Sequence, residues 1–297
     1  MFSLLFDFLK EKDFKYKERV NLKILSSVGI GPTVPLLVYP SSTEQLVSLV
    51  EYLHKFEIQY KIVGRMTNIL FTDKACDFVI IATADISRIE FSSEGVYAEC
   101  GATLRRLCAL CVEQALCGIE ALSGIPASVG GAILSNAGAY GAEVSDVLET
   151  VRALDKVSGQ LIKLCADECD FSYRHSIFQT GRYVILSAKF RLSKANFDVG
   201  ERMREFSRRR IDTQPTAERS LGSTFKRPRG AYAAELIDRC GLKGTGVGGV
   251  KISEKHAGFI VNTAHGTAED YVSLMELVRR RVYDEFSLLL EPEIEIF

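Results

Sequence analysis

The stretch GIPASVGGAILSNAGAYG, residues 124–141, is the part of the sequence that is least typical of ordinary core packing. It combines five glycines and one proline with small alanines and serines, so its backbone can approach another object closely and adopt positive φ. Gly130 and Gly131 precede the apolar run 132–134, which leaves backbone N–H groups to point at an anion, as phosphate-binding loops do. The pattern favours a bound pyrophosphate over the alternative, a glycine-rich turn between two buried segments.

Length and composition favour a globular protein that binds a small molecule. The chain has 297 residues, which predicts about two domains. Apolar residues make up 47%, charged residues 25%, and the net charge is −1, which argues against a nucleic-acid partner. The start, MFSLLFDFLKEKDF, lacks the basic region of a signal peptide and predicts an amphipathic helix. No run approaches the ~20 apolar residues of a membrane span, so we expect a cytoplasmic protein with no membrane partner.

The cysteines are interpreted as reduced thiols, because they lie among Leu and Ala in a chain large enough to need no disulfides. Cys108 and Cys111 could form half a zinc site or a redox pair, but no second such pair or nearby His follows them. Their segment has helical periodicity, which favours buried thiols, and no metal site is predicted. The eight cysteines are Cys76, Cys100, Cys108, Cys111, Cys117, Cys165, Cys169 and Cys240.

The first part of the chain, residues 21–76, has the pattern of an α+β unit. Residues 36–39 predict a strand that ends at Pro40, and residues 41–45 open a helix with Ser and Thr as candidate N-caps. A second strand is predicted at residues 60–63, followed by the loop 64–68 and a third apolar run. Ligands often bind at such loops, although a single glycine is a weak signal. The helix is expected to bury Leu46, Leu49, Val50 and Leu53.

Residues 77–192 predict a second α+β domain, which contains the glycine-rich stretch. A helix is expected from Thr103 to Leu116. The segment 170–178 is too irregular for a regular element and places Arg174 among aromatic residues. That arginine is either a stacked surface cation or a carboxylate clamp, and the local sequence leaves both open. Strands are expected at residues 78–82, 95–99, 150–154 and 183–187.

The last third of the chain begins with a basic helix at 201–210, for which a solvated face is the favoured interpretation. Residues 220–228, SLGSTFKRP, combine hydroxyls, glycine and two cations, which suits a phosphate or carboxylate, or else a turn with exposed charges. Residues 244–249 match G-x-G-x-x-G, but they follow a predicted helix, whereas a dinucleotide fingerprint follows a strand.

Three further elements are expected towards the C-terminus. Residues 250–262 predict a strand, a turn and a strand. Thr267 is expected to cap a long helix that runs through Phe286. Residues 288–296, LLLEPEIEI, predict a strand in which carboxylates alternate with apolar side chains.

Five separated segments, in this order, resemble the UDP-N-acetylenolpyruvoylglucosamine reductase (MurB) family of peptidoglycan synthesis. The resemblance covers nearly the whole chain, and no inserted segment precedes the last domain, as in the compact type that lacks the substrate-capping tyrosine loop. One loop departs from the family, which has GGGSNLL where residues 64–70 are GRMTNIL. The five segments are GIPASVGGAILSNAGAYG, FSYRHSIF, RIDTQP with GSTFKRP, AAELIDRCGLKG with SEKHAGFIVN, and LEPEI.

The resemblance implies an α+β protein with the FAD-binding PCMH or vanillyl-alcohol-oxidase-like fold. It implies an N-terminal helix at 1–20, FAD-binding subdomains at 21–76 and 77–200, and a C-terminal α+β substrate-binding domain at 201–297. The implied activity is NADPH-dependent reduction, through FAD, of UDP-N-acetylglucosamine enolpyruvate to UDP-N-acetylmuramate, by a monomer. Two alternatives stay open: another FAD oxidoreductase of this fold that acts on an alcohol or sugar, and a non-catalytic nucleotide-binding protein.

The resemblance also implies site residues. By similarity, Arg174 and Glu293 stabilise the enolate formed when hydride reaches C3 of the enolpyruvyl group, and Ser223 gives a proton to C2. The implied substrate-binding residues are Tyr173, Lys226, Arg227, Lys255 and His256. The implied FAD-binding residues are Gly64, Arg65, Thr67, Asn68, Gly124, Ile125, Pro126, Ala127, Ser128, Gly130, Gly131, Ala132, Asn136, Gly138, Ala139 and Tyr140.

Overall fold

The computed structural model describes residues 2–72 and 77–297, so Cys76 lies outside the described residues. Helices and short strands alternate along the chain. The helices are α1 (Phe2–Glu11), α2 (Thr43–Lys55), α3 (Leu104–Glu113), α4 (Val129–Leu134), α5 (Val199–Thr213), α6 (Ala233–Arg239) and α7 (Ala268–Phe286). The strands are β1 (Lys15–Asn21), β2 (Thr33–Tyr39), β3 (Tyr60–Val63), β4 (Ile69–Leu70), β5 (Val79–Ala82), β6 (Ile89–Ser92), β7 (Gly95–Glu99), β8 (Leu116–Cys117), β9 (Gly138–Ala139), β10 (Ala142–Glu143), β11 (Leu148–Asp155), β12 (Gln160–Cys165), β13 (Tyr183–Phe190), β14 (Ser193–Lys194), β15 (Arg219–Ser223), β16 (Gly246–Val247), β17 (Val250–Ile252), β18 (Phe259–Asn262) and β19 (Glu295–Ile296).

The chain forms two compact, discontinuous units. Unit 1 consists of Met1–Arg19, Pro35–Arg65 and Asp77–Arg208. Unit 2 consists of Val20–Val34, Met66–Cys76 and Arg209–Phe297. The division of the chain at residues 20, 76 and 200 stays a prediction. Within the described residues, no helix is long and apolar enough to cross a membrane.

One layer of unit 1 is a sheet in the order β1-β2-β5-β3, in which β5 pairs in parallel with β2 and with β3. Helix α2 covers it. The helix begins after Ser42, whose side chain accepts a hydrogen bond from the backbone N–H of Gln45, as the sequence predicts. Its predicted apolar stripe is confirmed, because Leu46, Leu49 and Leu53 are fully buried in one core with Val38 of β2.

The second sheet of unit 1 is antiparallel, in the order β12-β11-β13-β7-β6. Helices α3 and α4 pack on it in a separate core. Thr103, the predicted start of the helix, is its N-cap and accepts from the N–H of Arg106. The predicted helix end at Leu116 is wrong: α3 stops at Glu113, Ala115 adopts a left-handed φ of 50°, and Leu116 pairs with Lys194 of β14. Strand pairing therefore overrides the apolar periodicity in the last turn.

Unit 2 is built on an antiparallel sheet in the order β15-β18-β17-β16, with α6 and α7 packed against it. Helix α7 begins after Thr267, which forms a reciprocal capping box with Asp270, and it ends at Phe286 as predicted. Helix α6 is followed by Gly241 in the left-handed region, with φ of 67°. The prediction that the glycine-rich run at 244–249 follows a helix is confirmed.

The predicted strand at residues 288–296 is wrong over most of its length, because only β19 is a strand there. The segment pairs first with residues 224–226 and then with β4. The N–H of Lys226 donates to the Glu291 carbonyl, and the N–H of Glu293 donates to the Thr224 carbonyl, both at 2.8 Å. Strand β19 then pairs in parallel with β4. The segment forms no long strand for two reasons. Pro292 has no N–H to donate to a ladder, and the pairing partner changes part of the way along the segment.

Candidate functional site

The glycine-rich stretch of unit 1 forms the short helix α4 and the turns around it. Ser128 caps α4 by accepting from the N–H of Gly131 at 3.2 Å. The N–H of Gly130 donates to the carbonyl of Cys100 at 2.8 Å. The expectation that both glycine amides point freely at an anion is therefore wrong, since each is used inside unit 1. A Cβ on Gly130 would lie 3.1 Å from the Cβ of Cys100, so glycine here allows α4 to pack closely.

Gly131 has a different environment, because it is exposed and a Cβ there would meet only Ser128 Oγ, at 3.4 Å. The loop after β3 reaches the same place, since a Cβ on Gly64 would overlap Ser128 Oγ. Arg65 follows Gly64 and is exposed. The fold thus brings together Gly64, Ser128 and Gly131, three residues expected to bind FAD, around backbone that is open to solvent.

The other residues expected to bind FAD differ in how far solvent reaches them. Ala132 and Asn136 are fully buried, and Ile125 and Ala127 pack against the core of α3 and α4. Tyr140 is exposed, stacks on Phe206 with ring centroids 4.8 Å apart, and donates from its hydroxyl to the Phe206 carbonyl at 3.2 Å. Gly124, Gly138 and Ala139 are partly buried, and Pro126 is exposed.

Arg174 lies at the tip of a tight turn in unit 1. The turn is closed by backbone hydrogen bonds between Ser172 and His175, and Arg174 adopts a left-handed φ of 55°. Its guanidinium lies 5.1 Å from the ring centroid of Tyr173, as a stacked cation would, and donates to the Gly138 carbonyl at 3.1 Å. A role as carboxylate clamp stays a prediction. Tyr173 is exposed beside it.

In unit 2 a short backbone ladder joins the chain directly after Ser223 to the segment that carries Glu293. Ser223 is the last residue of β15, and the carbonyl of the following residue, Thr224, accepts from the N–H of Glu293 at 2.8 Å. An isolated bridge between Phe225 and Pro292 continues this pairing. Two segments far apart in the sequence thus share one short backbone ladder, which no local pattern predicts.

Two residues that the sequence analysis missed support Ser223. Thr224 and Tyr271 are both fully buried, and their hydroxyl oxygens lie 3.2 Å apart. The bond joins α7 to the chain directly after Ser223. Burial raises the pKa of Tyr271 well above its ordinary value, so the phenol stays neutral. The available signal was a tyrosine on the apolar face of α7, because a buried tyrosine hydroxyl needs a partner.

The basic residues expected to bind substrate have partners within unit 2. Lys226 Nζ lies 3.6 Å from a carboxylate oxygen of Glu291, and the Arg227 guanidinium lies 4.6 Å from the ring centroid of Tyr232. Lys255 Nζ donates to the Ile211 carbonyl in the last turn of α5, where a cation stabilises a helix end. Their contact with substrate stays a prediction.

His256, the remaining substrate-binding candidate in unit 2, lies in the turn between β17 and β18. Its Nδ1 accepts from the N–H of Gly258 at 3.2 Å, and its ring packs edge-on against Phe259 with centroids 4.9 Å apart. Burial lowers the pKa of His256, so the imidazole is neutral at neutral pH. Substrate contact through this residue also stays a prediction.

The interpretation of Cys108 and Cys111 as buried thiols is confirmed. Both lie on the core side of α3, and burial raises the pKa of Cys111 to about 12. In the described part of the chain the cysteines are free thiols, of which Cys165 is exposed. A thiol buried in an apolar core is unreactive, so this pair has a packing role.

The loop that departs from the family pattern ends in unit 2, where Asn68 holds the segment that carries Glu293. The side-chain amide of Asn68 donates to the Glu293 carbonyl at 3.1 Å, and its own carbonyl accepts from the N–H of Glu295 at 3.0 Å. Met66 is buried with a left-handed φ of 50°, which glycine would adopt more easily. FAD contacts by Thr67 and Asn68 stay predictions.

Asn68→Ala should lower the free energy of unfolding by about 1 to 2 kcal/mol, because it leaves the Glu293 carbonyl without its donor. Urea denaturation measures the loss, and hydrogen exchange should show faster opening of residues 293–297. Asn196→Ala, at an exposed asparagine of unit 1, is the control and should change neither. Equal behaviour of the two variants would show that the Asn68 amide contributes nothing.

Two stretches of the chain match known protein families. Residues 34–164 match the family described as FAD binding domain. Residues 214–297 match the family described as UDP-N-acetylenolpyruvoylglucosamine reductase, C-terminal domain.

Relatives that carry the name of this reductase match over the full length. The UDP-N-acetylenolpyruvoylglucosamine reductase of Caldanaerobacter subterraneus is 39% identical over 100% of this chain and 99% of its own. That of Syntrophomonas wolfei is 37% identical, also over 100% of this chain and 99% of its own.

Solved structures agree with these matches. The crystal structure of the reductase (MurB) from Thermus caldophilus superposes with a TM-score of 0.81 at 31% identity, over 96% of this chain and 99% of that one. Cholesterol oxidase of Brevibacterium sterolicum, at 14% identity and a TM-score of 0.50, shares the fold over 62% of this chain and 38% of its own. The predicted α+β FAD-binding fold of the PCMH or vanillyl-alcohol-oxidase type is therefore confirmed. The chain belongs to the UDP-N-acetylenolpyruvoylglucosamine reductase (MurB) family.

Proposed function

We infer that this protein is an FAD-dependent oxidoreductase that reduces UDP-N-acetylglucosamine enolpyruvate to UDP-N-acetylmuramate with NADPH, in the synthesis of peptidoglycan precursors. The observation that carries the inference is the match to reductases of this name along the whole length of both chains. The substrate is a UDP-sugar that carries an enolpyruvyl ether. We further propose that the enzyme is a cytoplasmic monomer.

The glycine-rich face of unit 1 suits the pyrophosphate of FAD. Backbone at Gly131 is open to solvent and has room for a phosphate where a side chain would stand. Gly64 allows the loop after β3 to approach Ser128 closely, and the next residue, Arg65, is an exposed cation. A guanidinium binds phosphate oxygens well, so Arg65 supplies charge at a position where the family has glycine. FAD, when bound, carries the hydride from NADPH to the substrate.

The remaining chemistry belongs to side chains of the protein. Hydride arrives at C3 of the enolpyruvyl group, C2 gains carbanion character, and negative charge develops on the adjoining carboxylate. We propose that Arg174 and Glu293 stabilise this charge, since preorganised cations and acids act most strongly where charge develops. Ser223 gives a proton to C2, so that one hydride and one proton are added across the double bond.

Serine is a weak acid, with a pKa far above 7, so Ser223 donates only to a strongly basic carbanion, with a water relay restoring its proton. The backbone ladder between Thr224 and Glu293 supports this role, because it bonds the residue after Ser223 to the segment that carries Glu293. Lys226 and Arg227 follow in the same loop, and we propose that they bind the substrate phosphates. Tyr173, Lys255 and His256 are proposed to contact the rest of the substrate.

Anaerobic spectroscopy of the purified protein tests the proposed function. The protein should be yellow, NADPH should bleach it, and only the enolpyruvyl nucleotide should restore the colour without oxygen. Restoration of the colour by a simple alcohol-derived aldehyde or an oxidised sugar, and not by the nucleotide, would indicate a different oxidoreductase of this fold. A protein that stays colourless when FAD is supplied would contradict any flavoenzyme function.

A further inference from the structure

Within the described residues of the glycine-rich stretch, Asn136 is the one polar side chain that is fully buried and also forms hydrogen bonds to two other segments of the chain. Its amide nitrogen donates to a carboxylate oxygen of Glu143 at 2.9 Å and to the carbonyl of Ser172 at 3.1 Å. Its amide oxygen accepts from the N–H of Ser145 at 3.0 Å. Both amide hydrogens are thus donated inside unit 1 and the buried oxygen accepts a bond there, which leaves the side chain no donor for a ligand.

The Ser172 carbonyl that Asn136 contacts is the base of the turn that presents Arg174. This carbonyl also accepts from the N–H of His175 at 3.0 Å, so the amide and the turn share its two lone pairs. The neighbouring Ser176 is fully buried, and its hydroxyl donates to the Leu134 carbonyl at 2.7 Å. Two side chains therefore fasten both ends of the Arg174 turn to the glycine-rich stretch.

We propose that Asn136, oriented by Glu143, is a positioning residue that aims Arg174, and that its side chain is not a ligand of FAD. The turn needs such fastening because Arg174 has a left-handed φ, which a non-glycine residue adopts only when its surroundings impose it. This proposal rests on the proposed function. A displaced Arg174 should slow reduction of the enolpyruvyl nucleotide, because Arg174 is proposed to stabilise the negative charge that develops on the substrate. NADPH oxidation and FAD binding do not need the arginine.

Asn136→Asp tests the proposal, because the new carboxylate keeps the shape of the amide but faces Glu143 and the Ser172 carbonyl without hydrogens to donate. Reduction of the nucleotide should slow by about 10²-fold, the effect of a small misplacement of a catalytic group. Affinity for FAD and the rate of flavin reduction by NADPH should stay close to wild type. A comparable loss in either of these would show that Asn136 serves the cofactor, and would overturn the proposal.

A double-mutant cycle with Arg174→Met distinguishes aiming of the arginine from general support of the fold. If Asn136 acts through Arg174, adding Asn136→Asp to Arg174→Met should cost little further activity. A full multiplicative loss would overturn the proposal. Ser176→Ala, which removes only the bond to Leu134, is the second variant and should show the same pattern should Asn136→Asp fold poorly.

Hydrogen exchange separates failure of this proposal from failure of the proposed function. Backbone amides of residues 172–176 should exchange faster in Asn136→Asp than in wild type, with no substrate present. Unchanged exchange would overturn the positioning role whatever the enzyme reduces. If the wild-type protein reduces no enolpyruvyl nucleotide but residues 172–176 still exchange faster in Asn136→Asp, only the assigned reaction is refuted. The hold of Asn136 on the turn would then be supported.

Discussion

Ser223→Ala should leave reduction of the flavin by NADPH nearly unchanged and slow reduction of the enolpyruvyl nucleotide by about 10²- to 10⁴-fold, the usual contribution of a positioned acid or base. The reason is that the hydroxyl is needed only after hydride reaches C3, when C2 must take a proton. NADPH oxidation involves no such proton transfer. Stopped-flow absorbance of the two half-reactions, measured separately, gives both rates.

Ser220→Ala is the matched control for this experiment. Ser220 lies on the same strand, β15, and is half-buried like Ser223, so the substitution removes the same hydroxyl group from a similar environment. It should leave both half-reactions unchanged. Equal slowing of the two half-reactions in Ser223→Ala would contradict the role as proton donor and point instead to damage of the flavin site.

Gly131→Ala should lower the affinity for FAD by about ten-fold or more, which corresponds to about 1.4 kcal/mol of binding free energy. The methyl group would stand where open backbone now faces solvent, and it would push a phosphate away. The protein without FAD should be no less stable, because the new Cβ meets only Ser128 Oγ at 3.4 Å. Alanine even favours a helix over glycine by up to about 1 kcal/mol.

Gly130→Ala is the comparison variant, which separates loss of FAD affinity from loss of apoprotein stability. Its Cβ would lie 3.1 Å from the Cβ of Cys100 inside the packed core, so it should lower the stability of the apoprotein. FAD titration and thermal unfolding of both variants measure the two effects. Unchanged FAD affinity in Gly131→Ala would favour the alternative interpretation of the stretch, a turn that only joins buried segments.

The helices were predictable because their signals are local. Ser42 and Thr267 each cap a helix within three residues of their own position, and the buried stripe of α2 follows the helical period. The extent of α3 was harder to predict, because Leu116 fits the helical period but is taken by a strand partner 78 residues later, Lys194. Strand pairing between distant residues has no local signal.

For the candidate site, too, one part could be predicted from the sequence and another part could not. The motif order identified the family, and with it the flavin and the reaction, while the roles of Arg174, Ser223 and Glu293 stay proposals. The surroundings of these residues were not predictable. The resemblance implied that Asn136 binds FAD, and only the structure shows that its amide is buried and donates to the Ser172 carbonyl.

The sequence by itself determined where several of the helices begin, which stretch consists of small residues, and which family the chain belongs to, because capping, periodicity and motif order all lie in consecutive residues. Only the tertiary structure decided that the amides of Gly130 and Gly131 are already bonded, that the N–H of Glu293 bonds to the Thr224 carbonyl, and that the C-terminal segment pairs with two different parts of the chain. The physical reason is that a backbone hydrogen bond has no side-chain signature, so its partner is known only once the chain has folded.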